Sequence, residues 1–362
     1  MILHIIARLN VGGTSEWIKN LIYGFEAENI QSLVLAGEPQ SELKDELYLD
    51  SRVRVIEGWG KKSSLKNNIQ AFIEIRRIIK KEKPTVINTH TAKAGIFGRL
   101  AARSLIFERP RIVHTIHGHY LHGYSRPLVS KIWLFNEAIL SSITDSVVCV
   151  GTQVRDDLLK TRLFSSDKLI VALPGFDFSK TDMSKVGVIT KPGKIIFTVG
   201  WMGRLEYVKN PGMFKEIAHR MPQINFIMVG SGSLGEDIRR SAPANLRIIS
   251  FLKPEELWSK SDLAASTSLN EGVPTTLVEA NAFHIPIVAP RVGSIGDVVI
   301  SGVNGILLDF ANVEEFCSWI KVLSEDREIY LELKRGCSTI SPKFAIARMI
   351  ARHQEIYQIV RK

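Results

Sequence analysis

The feature that most constrains this fold is a regular alternation of short apolar runs with helical segments along the chain. The apolar runs lie near residues 2–9, 31–36, 52–57, 85–90, 111–117, 146–150, 169–173, 195–201, 225–229, 246–251, 263–267, 286–289 and 305–308. Runs of this length are typical of buried strands, and intervening helices are what parallel strands need as crossovers. The alternation therefore predicts an α/β fold built on doubly wound parallel sheets.

A polar stretch near residues 179–193 interrupts this alternation and ends in Lys-Pro-Gly. A chain of 362 residues has room for two domains, so we interpret the stretch as a linker. We predict two Rossmann-like domains facing across a cleft, over residues 1–183 and 184–340. A final helical segment, 341–362, is long enough to pack back on the first domain.

Composition narrows the setting in which the protein works. The net charge is +10 and the three cysteines are scattered without metal-ligand spacing, as in a reducing compartment. Met1 leads directly into the first predicted strand, and no run reaches the roughly 18 apolar residues of a membrane helix. We expect a cytoplasmic protein whose membrane contact, if it has one, is peripheral.

Two glutamates eight positions apart, Glu271 and Glu279, flank a predicted helix start. Pro274 suits the first turn of that helix, where its missing N–H costs nothing. The free amides of Thr275, Thr276 and Leu277 would form an anion site at the helix N-terminus. Because carboxylates accept hydrogen bonds and repel phosphate, the pair suits sugar hydroxyls beside a phosphate. Two solvated glutamates are the alternative.

Two glycine-containing loops follow strands of the second half. In the segment 200–210, Arg204 and Lys209 lie five positions apart and form a candidate clamp for a diphosphate. The segment 230–235 matches G-x-G-x-x-G, the pattern of dinucleotide-binding folds. The next strand does not end in the acidic residue that would hold a ribose, so a tight turn explains these glycines adequately.

Histidines cluster after the strand near 111–117. The four are His114, His117, His119 and His122. Strand alternation places the first two on opposite faces, which argues against a shared metal ion, and we expect no metal site. We select His117 for a hydrogen bond to substrate or for acid–base assistance. His90, Lys93 and His119 are candidates on the acceptor side.

The segment 61–83 carries eight Lys and Arg against two Glu, with an apolar stripe at helical spacing. The stripe consists of Leu65, Ile69, Phe72, Ile75 and Ile79. A basic outer face on a core-packed helix can attract the inner face of an anionic membrane. Nucleic acid fits less well, because no basic strand interleaved with aromatics and no known nucleic-acid module is present.

Together these motifs resemble the retaining glycosyltransferases of family 4, which have the two-lobed GT-B fold. The resemblance rests on the Glu271/Glu279 pair, the Gly203-Arg204-Leu205 loop with Lys209, the Gly12-Gly13 turn and residues 304–308. It covers essentially the whole chain. Residues 89–103 and 114–118 look like the subgroup acting in bacterial capsule, O-antigen or other cell-surface polysaccharide assembly.

The resemblance implies a role for each matching residue. Arg204 and Lys209 would hold the diphosphate, Glu279 the ribose hydroxyls and Glu271 the hydroxyls of the donor sugar. The amides of Gly12 and Gly13 would approach the phosphate, and His117 would contact the transferred sugar. The donor-binding turn comprises Val273, Pro274, Thr275, Thr276 and Leu277. Fixed cations would replace a divalent metal, and no cofactor is expected. Pro274 departs from the family pattern and removes a backbone donor.

We therefore predict a metal-independent retaining glycosyltransferase with a nucleotide-diphosphate sugar as donor, and we expect that donor to be a UDP-sugar. The acceptor would be a lipid-linked, lipopolysaccharide or capsule-type glycan. One alternative is a nucleotide-sugar epimerase of similar fold, which would isomerise its substrate without an acceptor. An NAD(P) oxidoreductase resting on residues 230–235 is a second, and a non-catalytic sugar-nucleotide binding protein is a third.

Overall fold

The computed structural model describes residues 1–10, 12–39, 46–60, 63–105, 109–118, 127–178, 197–309 and 312–359. The chain forms two compact units. Unit 1 holds the described residues up to Gly175 together with those from Ile346 onwards. Unit 2 holds the described residues from Phe176 to Ala345. The predicted linker and the predicted boundary at 183/184 fall within 179–196, outside the described residues.

Unit 1 is built on a parallel sheet of seven strands in the order β3-β2-β1-β4-β5-β6-β7. The strands are β1 (Ile2–Ile6), β2 (Ser32–Gly37), β3 (Val53–Ile56), β4 (Val86–His90), β5 (Arg111–Ile116), β6 (Ser146–Cys149) and β7 (Leu169–Val171). Because β1 pairs with both β2 and β4, the strand order reverses beside β1. In open sheets of this kind, ligands bind outside the carboxyl ends of the strands at such a reversal.

Helices cover both faces of this sheet. Those of the first part of the chain are α1 (Gly13–Ala27), α2 (Leu65–Glu82), α3 (Ala92–Arg103), α4 (Pro127–Ser141) and α5 (Thr152–Thr161). Helices α2 and α3 pack on the face formed by Leu3, Ile5 and Ile87. The opposite face is covered by α1 and by the last helix, α12 (Ile346–Tyr357), which pack against each other. The end of the chain therefore completes the core of unit 1.

Unit 2 repeats this arrangement with six parallel strands in the order β10-β9-β8-β11-β12-β13. They are β8 (Thr198–Met202), β9 (Asn225–Val229), β10 (Leu246–Ile249), β11 (Leu263–Ala265), β12 (Ile287–Pro290) and β13 (Gly305–Leu308). Its helices are α6 (Pro211–Arg220), α7 (Gly235–Arg240), α8 (Pro254–Trp258), α9 (Thr275–Ala282), α10 (Val313–Glu325) and α11 (Arg327–Ile340). Val199, Phe214 and Phe316 lie in its fully buried core.

The predicted α/β class with two doubly wound parallel sheets is confirmed, and every predicted apolar run overlaps a strand. In the sequence, Thr14 or Ser15 as the N-cap predicts a first helix that starts near Glu16, and this prediction is wrong. Helix α1 begins at Gly13, with Gly12 as its N-cap, rather than near Glu16 with Thr14 or Ser15 as the cap. The Ser15 hydroxyl instead donates to the carbonyl oxygen of Asn10 at 2.7 Å. Within the described part of the chain, no helix is both long and apolar enough to cross a membrane.

Candidate functional site

In unit 2, the turn between β11 and α9 carries Glu271 and forms one part of the candidate site. The Glu271 carboxylate forms an ion pair with the Lys209 ammonium and accepts a hydrogen bond of 2.7 Å from the Ser268 hydroxyl. Only 21% of the Lys209 side chain and 11% of the Glu271 side chain are exposed. A charge pair this far from bulk solvent is held in a defined geometry by its partners.

The loop after β8, which carries Lys209, is tied to this turn by a buried threonine. The Thr267 hydroxyl accepts a hydrogen bond of 3.1 Å from the Trp201 indole. The same hydroxyl lies 3.0 Å and 2.9 Å from the carbonyl oxygens of Lys209 and Asn210. The amide of Leu269 also donates to the carbonyl of Val208 at 2.8 Å. The fold therefore joins the Lys209 loop and the Glu271 turn into one rigid surface.

Arg204 lies on the same loop, but its environment differs. Its side chain is exposed, and no hydrogen bond or ion pair engages it within the described residues. A small cavity beside the loop is lined by Lys209, Ser268, Glu271 and Thr276. An unengaged guanidinium on the same loop as a fixed ammonium is suited to binding an anion that spans two phosphate groups.

The glycines of segment 230–235 support this loop by close packing. A Cβ atom at Gly230 would lie 1.9 Å from the carbonyl oxygen of Gly203, and one at Gly232 would lie 2.5 Å from that of Leu205. The Glu206 carboxylate accepts hydrogen bonds from the Ser233 amide at 3.0 Å and hydroxyl at 2.7 Å. Packing of one loop against another thus accounts for the G-x-G-x-x-G pattern.

The N-terminus of α9 corrects one detail of the predicted anion site. Pro274 is the N-cap, and the helix proper begins at Thr275. The amide of Leu277 is not free, because it donates to the Pro274 carbonyl at 3.0 Å. The amides of Thr275 and Thr276 have no backbone acceptor among the described residues. The anion site at this helix is therefore one residue shorter than predicted.

Sequence reasoning placed Val273 and Glu279 around this helix start and missed Gly293. The side chains of Val273 and Glu279 are both half-buried. Gly293 has a φ of +52°, and a Cβ there would lie 1.8 Å from the carbonyl oxygen of Glu271. That carbonyl also accepts a hydrogen bond of 3.3 Å from the Ser294 amide. The segment after β12 therefore holds the main chain of Glu271, and a lone glycine in the sequence gave no sign of it.

In unit 1, the Gly12-Gly13 turn lies at the end of β1. Both glycines are exposed, and Gly12 has a φ of +145°, a conformation that favours glycine. Their position at the carboxyl side of a central strand, at the start of α1, leaves the main chain open to an incoming group.

His117 directly follows β5 and is half-buried. Its Nε2 lies 2.9 Å from Nδ1 of His90, and Nε2 of His90 lies 3.2 Å from Nδ1 of His4. Burial, with a smaller effect of His353, lowers the pKa of His117 to about 3. A histidine with so low a pKa is neutral at physiological pH, so His117 is suited to hydrogen bonding rather than to general-base catalysis.

Two predicted acceptor-side residues have other contacts. His90 is fully buried with both ring nitrogens paired to histidines, so the expectation that it meets an acceptor is wrong. The Lys93 ammonium donates to the Gly60 carbonyl at 2.6 Å and to the Ser63 hydroxyl at 2.8 Å. Burial lowers the pKa of Lys93. His119 lies outside the described residues.

Known proteins resemble this chain in both units. The pattern that defines Glycosyltransferase Family 4 matches residues 11–180, and that of Glycosyl transferases group 1 matches residues 179–337. The chain belongs to glycosyltransferase family 4. An Escherichia coli relative, the UDP-Gal:alpha-D-GlcNAc-diphosphoundecaprenol alpha-1,3-galactosyltransferase, is 24% identical over 332 residues, with 86% of this chain and 85% of that protein covered.

Other relatives agree with the family assignment. The capsular polysaccharide biosynthesis glycosyltransferase CapM of Staphylococcus aureus is 22% identical over 73% of this chain and 75% of its own length. HepE of Anabaena, solved with UDP and glucose, is 19% identical over 99% of each chain, with a TM-score of 0.78. Sucrose-phosphate synthase of Thermosynechococcus elongatus has a TM-score of 0.84 at 14% identity, over 99% of this chain and 98% of its own. These structures share the GT-B fold.

Membership of the glycosyltransferases settles the class of activity: the chain is a glycosyltransferase. The epimerase alternative is not supported, since these relatives are glycosyltransferases. Of the residues selected from the sequence, the cavity brings together Lys209, Glu271, Thr276 and Leu277. Arg204 is on the same loop as Lys209 but does not line this cavity. Ser268 and Thr267, which hold them there, had no distinguishing pattern in the sequence.

Proposed function

We propose that this glycosyltransferase transfers a sugar from a UDP-sugar to a lipid-linked, lipopolysaccharide or capsule-type glycan. The observation that carries the donor side is the fixed Lys209–Glu271 ion pair, with the unengaged Arg204 on the same loop as Lys209. The two cations would hold the diphosphate, while Glu271 and Glu279 would accept hydrogen bonds from sugar and ribose hydroxyls. The E. coli relative, named for a UDP-sugar donor and a diphosphoundecaprenol acceptor, supports both assignments.

The proposed reaction is retaining and uses no divalent metal. The bond between the anomeric carbon and the phosphate oxygen breaks, and a bond from that carbon to the acceptor oxygen forms on the same face. The acceptor proton passes to the departing phosphate oxygen, so the protein need not supply a base. Arg204 and Lys209 would stabilise the charge that develops on the leaving diphosphate, which is the main catalytic contribution we assign to the protein.

The lipid side of the proposal rests on α2. Its buried face is Ala71, Ile75, Ile78 and Ile79, so the predicted core-packed stripe is wrong at its first two positions. Leu65 and Ile69 are 76% and 52% exposed, and with Ile73 they form an outward apolar stripe. The basic residues of this helix are mostly exposed as well. We propose that α2 places the enzyme on the anionic cytoplasmic face of a membrane, where its acceptor would lie.

The donor assignment is tested with a panel of UDP-, GDP- and ADP-sugars and three variants. Glu279→Ala should weaken donor binding, and Arg204→Ala should chiefly lower kcat, by about a hundredfold, because it acts on the leaving group. Lys215→Ala is the matched control, since Lys215 is a half-buried cation on α6 that donates to the Ser241 hydroxyl. Unchanged turnover in both site variants would refute the site assignment.

The membrane assignment is tested by co-sedimentation with vesicles of anionic or neutral lipid at low and high salt. The double variant Leu65→Ser/Ile69→Ser should lose binding to anionic vesicles. Leu49→Ser is its control, because Leu49 is 85% exposed but lies outside α2. Binding that ignores lipid charge and salt would contradict the proposal, since contacts between exposed charges weaken with ionic strength.

A further inference from the structure

Three histidines from three neighbouring strands form a continuous chain inside unit 1. His4 lies within β1, His90 ends β4, and His117 directly follows β5. The ring centroids are 5.5 Å apart for His4 and His90 and 5.1 Å apart for His90 and His117. His4 and His90 are fully buried, whereas His117 is half-buried. Of the three, only His117 has exposed surface, so the chain runs inward from a half-buried ring.

The two contacts between these rings couple their tautomers. Burial lowers the pKa of His4 to about 3 and the pKa of His90 well below its usual range, so all three rings are neutral near pH 7. A neutral imidazole has one N–H and one lone pair. Because His90 uses one nitrogen on each neighbour, it donates to one and accepts from the other. The three rings must therefore all carry the proton on Nδ1 or all carry it on Nε2.

The inner end of the chain favours one of these two arrangements. The Nε2 atom of His4 is buried and has no hydrogen-bond partner within the described residues. With protons on Nε2, His4 would bury an N–H without an acceptor, which native proteins rarely do. With protons on Nδ1, that atom is a lone pair. His353, which lies nearby, also carries its proton on Nδ1. Its Nδ1 donates to the Met349 carbonyl at 2.8 Å, and its buried Nε2, which has no partner within the described residues, is a lone pair.

The outer end of the chain is held in place by an aromatic ring. Trp17 of α1 packs edge-on against His117, with centroids 5.5 Å apart and an interplanar angle of 88°. Trp17 also makes an edge contact with His353 of α12. The His117 ring is therefore fixed both by the hydrogen bond at Nε2 and by packing, so its Nδ1 has a defined direction.

We propose that His90 is a positioning residue that holds His117 in the Nδ1–H tautomer, with His4 as the inner anchor. His117 then offers the substrate one N–H donor, and the oxygen it binds is an acceptor such as a sugar hydroxyl. This role rests on the proposed function, because it takes the group facing His117 to be the transferred sugar. His90 itself does not touch substrate.

The tautomers are measured directly in the free protein by nitrogen-15 NMR of labelled histidine side chains. We expect the His117 and His90 protons on Nδ1, with Nε2 of both rings shifted as an acceptor. A proton on Nε2 of His117 would overturn the proposal. The measurement needs no nucleotide sugar, so its outcome does not depend on whether the proposed donor and acceptor are correct.

Variants of His90 test its positioning role. Asn in place of His90 keeps a donor near the Nδ1 position, whereas Leu has a similar volume and no donor. His90→Leu should allow the Nε2–H tautomer of His117 and lower kcat about tenfold. His90→Asn should keep the Nδ1–H tautomer and a kcat close to that of the wild type. If both variants behave alike, His90 is only structural. Should neither fold, His4→Asn and His4→Leu give the same comparison one ring further away, and the wild-type spectrum still decides.

His114→Asn is the matched control. His114 is a buried histidine of β5 on the sheet face opposite the three-histidine chain. Its Nδ1 lies 3.1 Å from the carbonyl oxygen of Thr89. Its loss should lower stability but leave the His117 signals in place. A change in the His117 tautomer in this control as large as that in His90→Leu would show that the effect is not specific to the chain.

Discussion

The two units place their polar groups in opposite electrical environments. In unit 1, the groups on the sheet face are neutral imidazoles that bond to one another and are mostly buried. In unit 2, they are a carboxylate and an ammonium that pair at the edge of a cavity, with the exposed Arg204 on the same loop as the ammonium. The same kind of parallel sheet therefore supports either neutral or charged groups, depending on whether each charge has an opposite charge to pair with.

This difference follows from the cost of burying charge. A fully buried imidazole loses its proton because desolvation penalises the cation, so unit 1 presents hydrogen-bond donors without charge. Lys209 and Glu271 form an ion pair in which each charge compensates the other, and both side chains remain partly solvated. Neutral donors suit hydroxyl recognition, and fixed cations suit a diphosphate. The comparison thus agrees with a sugar-facing role for His117 and a phosphate-facing role for Lys209.

The largest expected effect comes from removing the charge in unit 2. Lys209→Met should lower kcat by about 10²–10³-fold, because one fixed cation no longer stabilises the leaving diphosphate. Steady-state kinetics with the preferred donor measures the change. The control is Lys215→Met, a half-buried lysine on α6 that should retain turnover. A Lys209→Met enzyme as active as that control would mean that unit 2 does not work through charge.

The second test protonates the buried histidines of unit 1 by lowering the pH. The folded pKa values of His4 and His117 are about 3 and that of His353 is about 4, all below the ordinary 6.5. Their contribution to stability is therefore complete above about pH 6.5 and is lost as pH falls towards the folded values. The loss approaches about 1.4 kcal/mol per pH unit for each histidine, since the unfolded chain binds more protons.

Hydrogen exchange measured peptide by peptide, at about pH 7.5 and about pH 5.5, follows this loss across the histidine titration range. Strands β1 and β4 should lose protection far more than β8 and β9. His353→Asn should make the pH dependence of unit 1 shallower by the share of one histidine. Equal destabilisation of both units would contradict the comparison.

A smaller effect is expected from crowding Glu271 without touching any charge. Gly293→Ala would place a Cβ against the carbonyl of Glu271 at a φ of +52°, which costs about 1–2 kcal/mol in backbone strain alone. The turn must shift, so the KM for the donor should rise about tenfold. Gly296→Ala is the control in the same segment, because a Cβ there meets nothing within 4 Å. Identical KM values for the two variants would show that Gly293 does not support donor binding.

The smallest effect is expected at Pro274, the N-cap of α9. Pro274→Ala should lower stability by about 0.4–1 kcal/mol, because the unfolded chain gains freedom. It also restores a backbone N–H at a position where the family pattern has one. We expect donor KM to change less than about threefold, since the amides of Thr275 and Thr276 remain. A much lower KM for the donor would show that the added amide contacts the substrate.

Much of the fold was readable from periodicity. Buried parallel strands are continuous apolar runs, so all thirteen were found to within a few residues. Helix starts were less predictable: Ser15 looks like a cap, yet its hydroxyl bonds back to Asn10 and Gly12 caps the helix. The stripe of α2 was similarly ambiguous, because spacing does not tell which of two apolar faces meets the sheet.

The candidate site likewise contains residues that the sequence reveals and residues that it does not. Charged residues in loops after strands, Arg204, Lys209 and Glu271, are legible because the carboxyl ends of parallel strands meet at one edge. The groups that fix them are not. Ser268 and Gly293 are ordinary residues in the sequence, and their importance comes from contacts with Glu271 made across distant segments.

The sequence by itself determined the two sheets, the family and the charged residues of unit 2, because each depends on local pattern or on residue type at a strand end. Only the tertiary structure decided that Lys209 is paired with Glu271, that His90 is fully buried between two other histidines, and that α12 completes the core of unit 1. These outcomes depend on which side chains the fold brings within hydrogen-bond distance and on how much water it removes around them. Both are properties of three-dimensional packing that one-dimensional spacing does not encode.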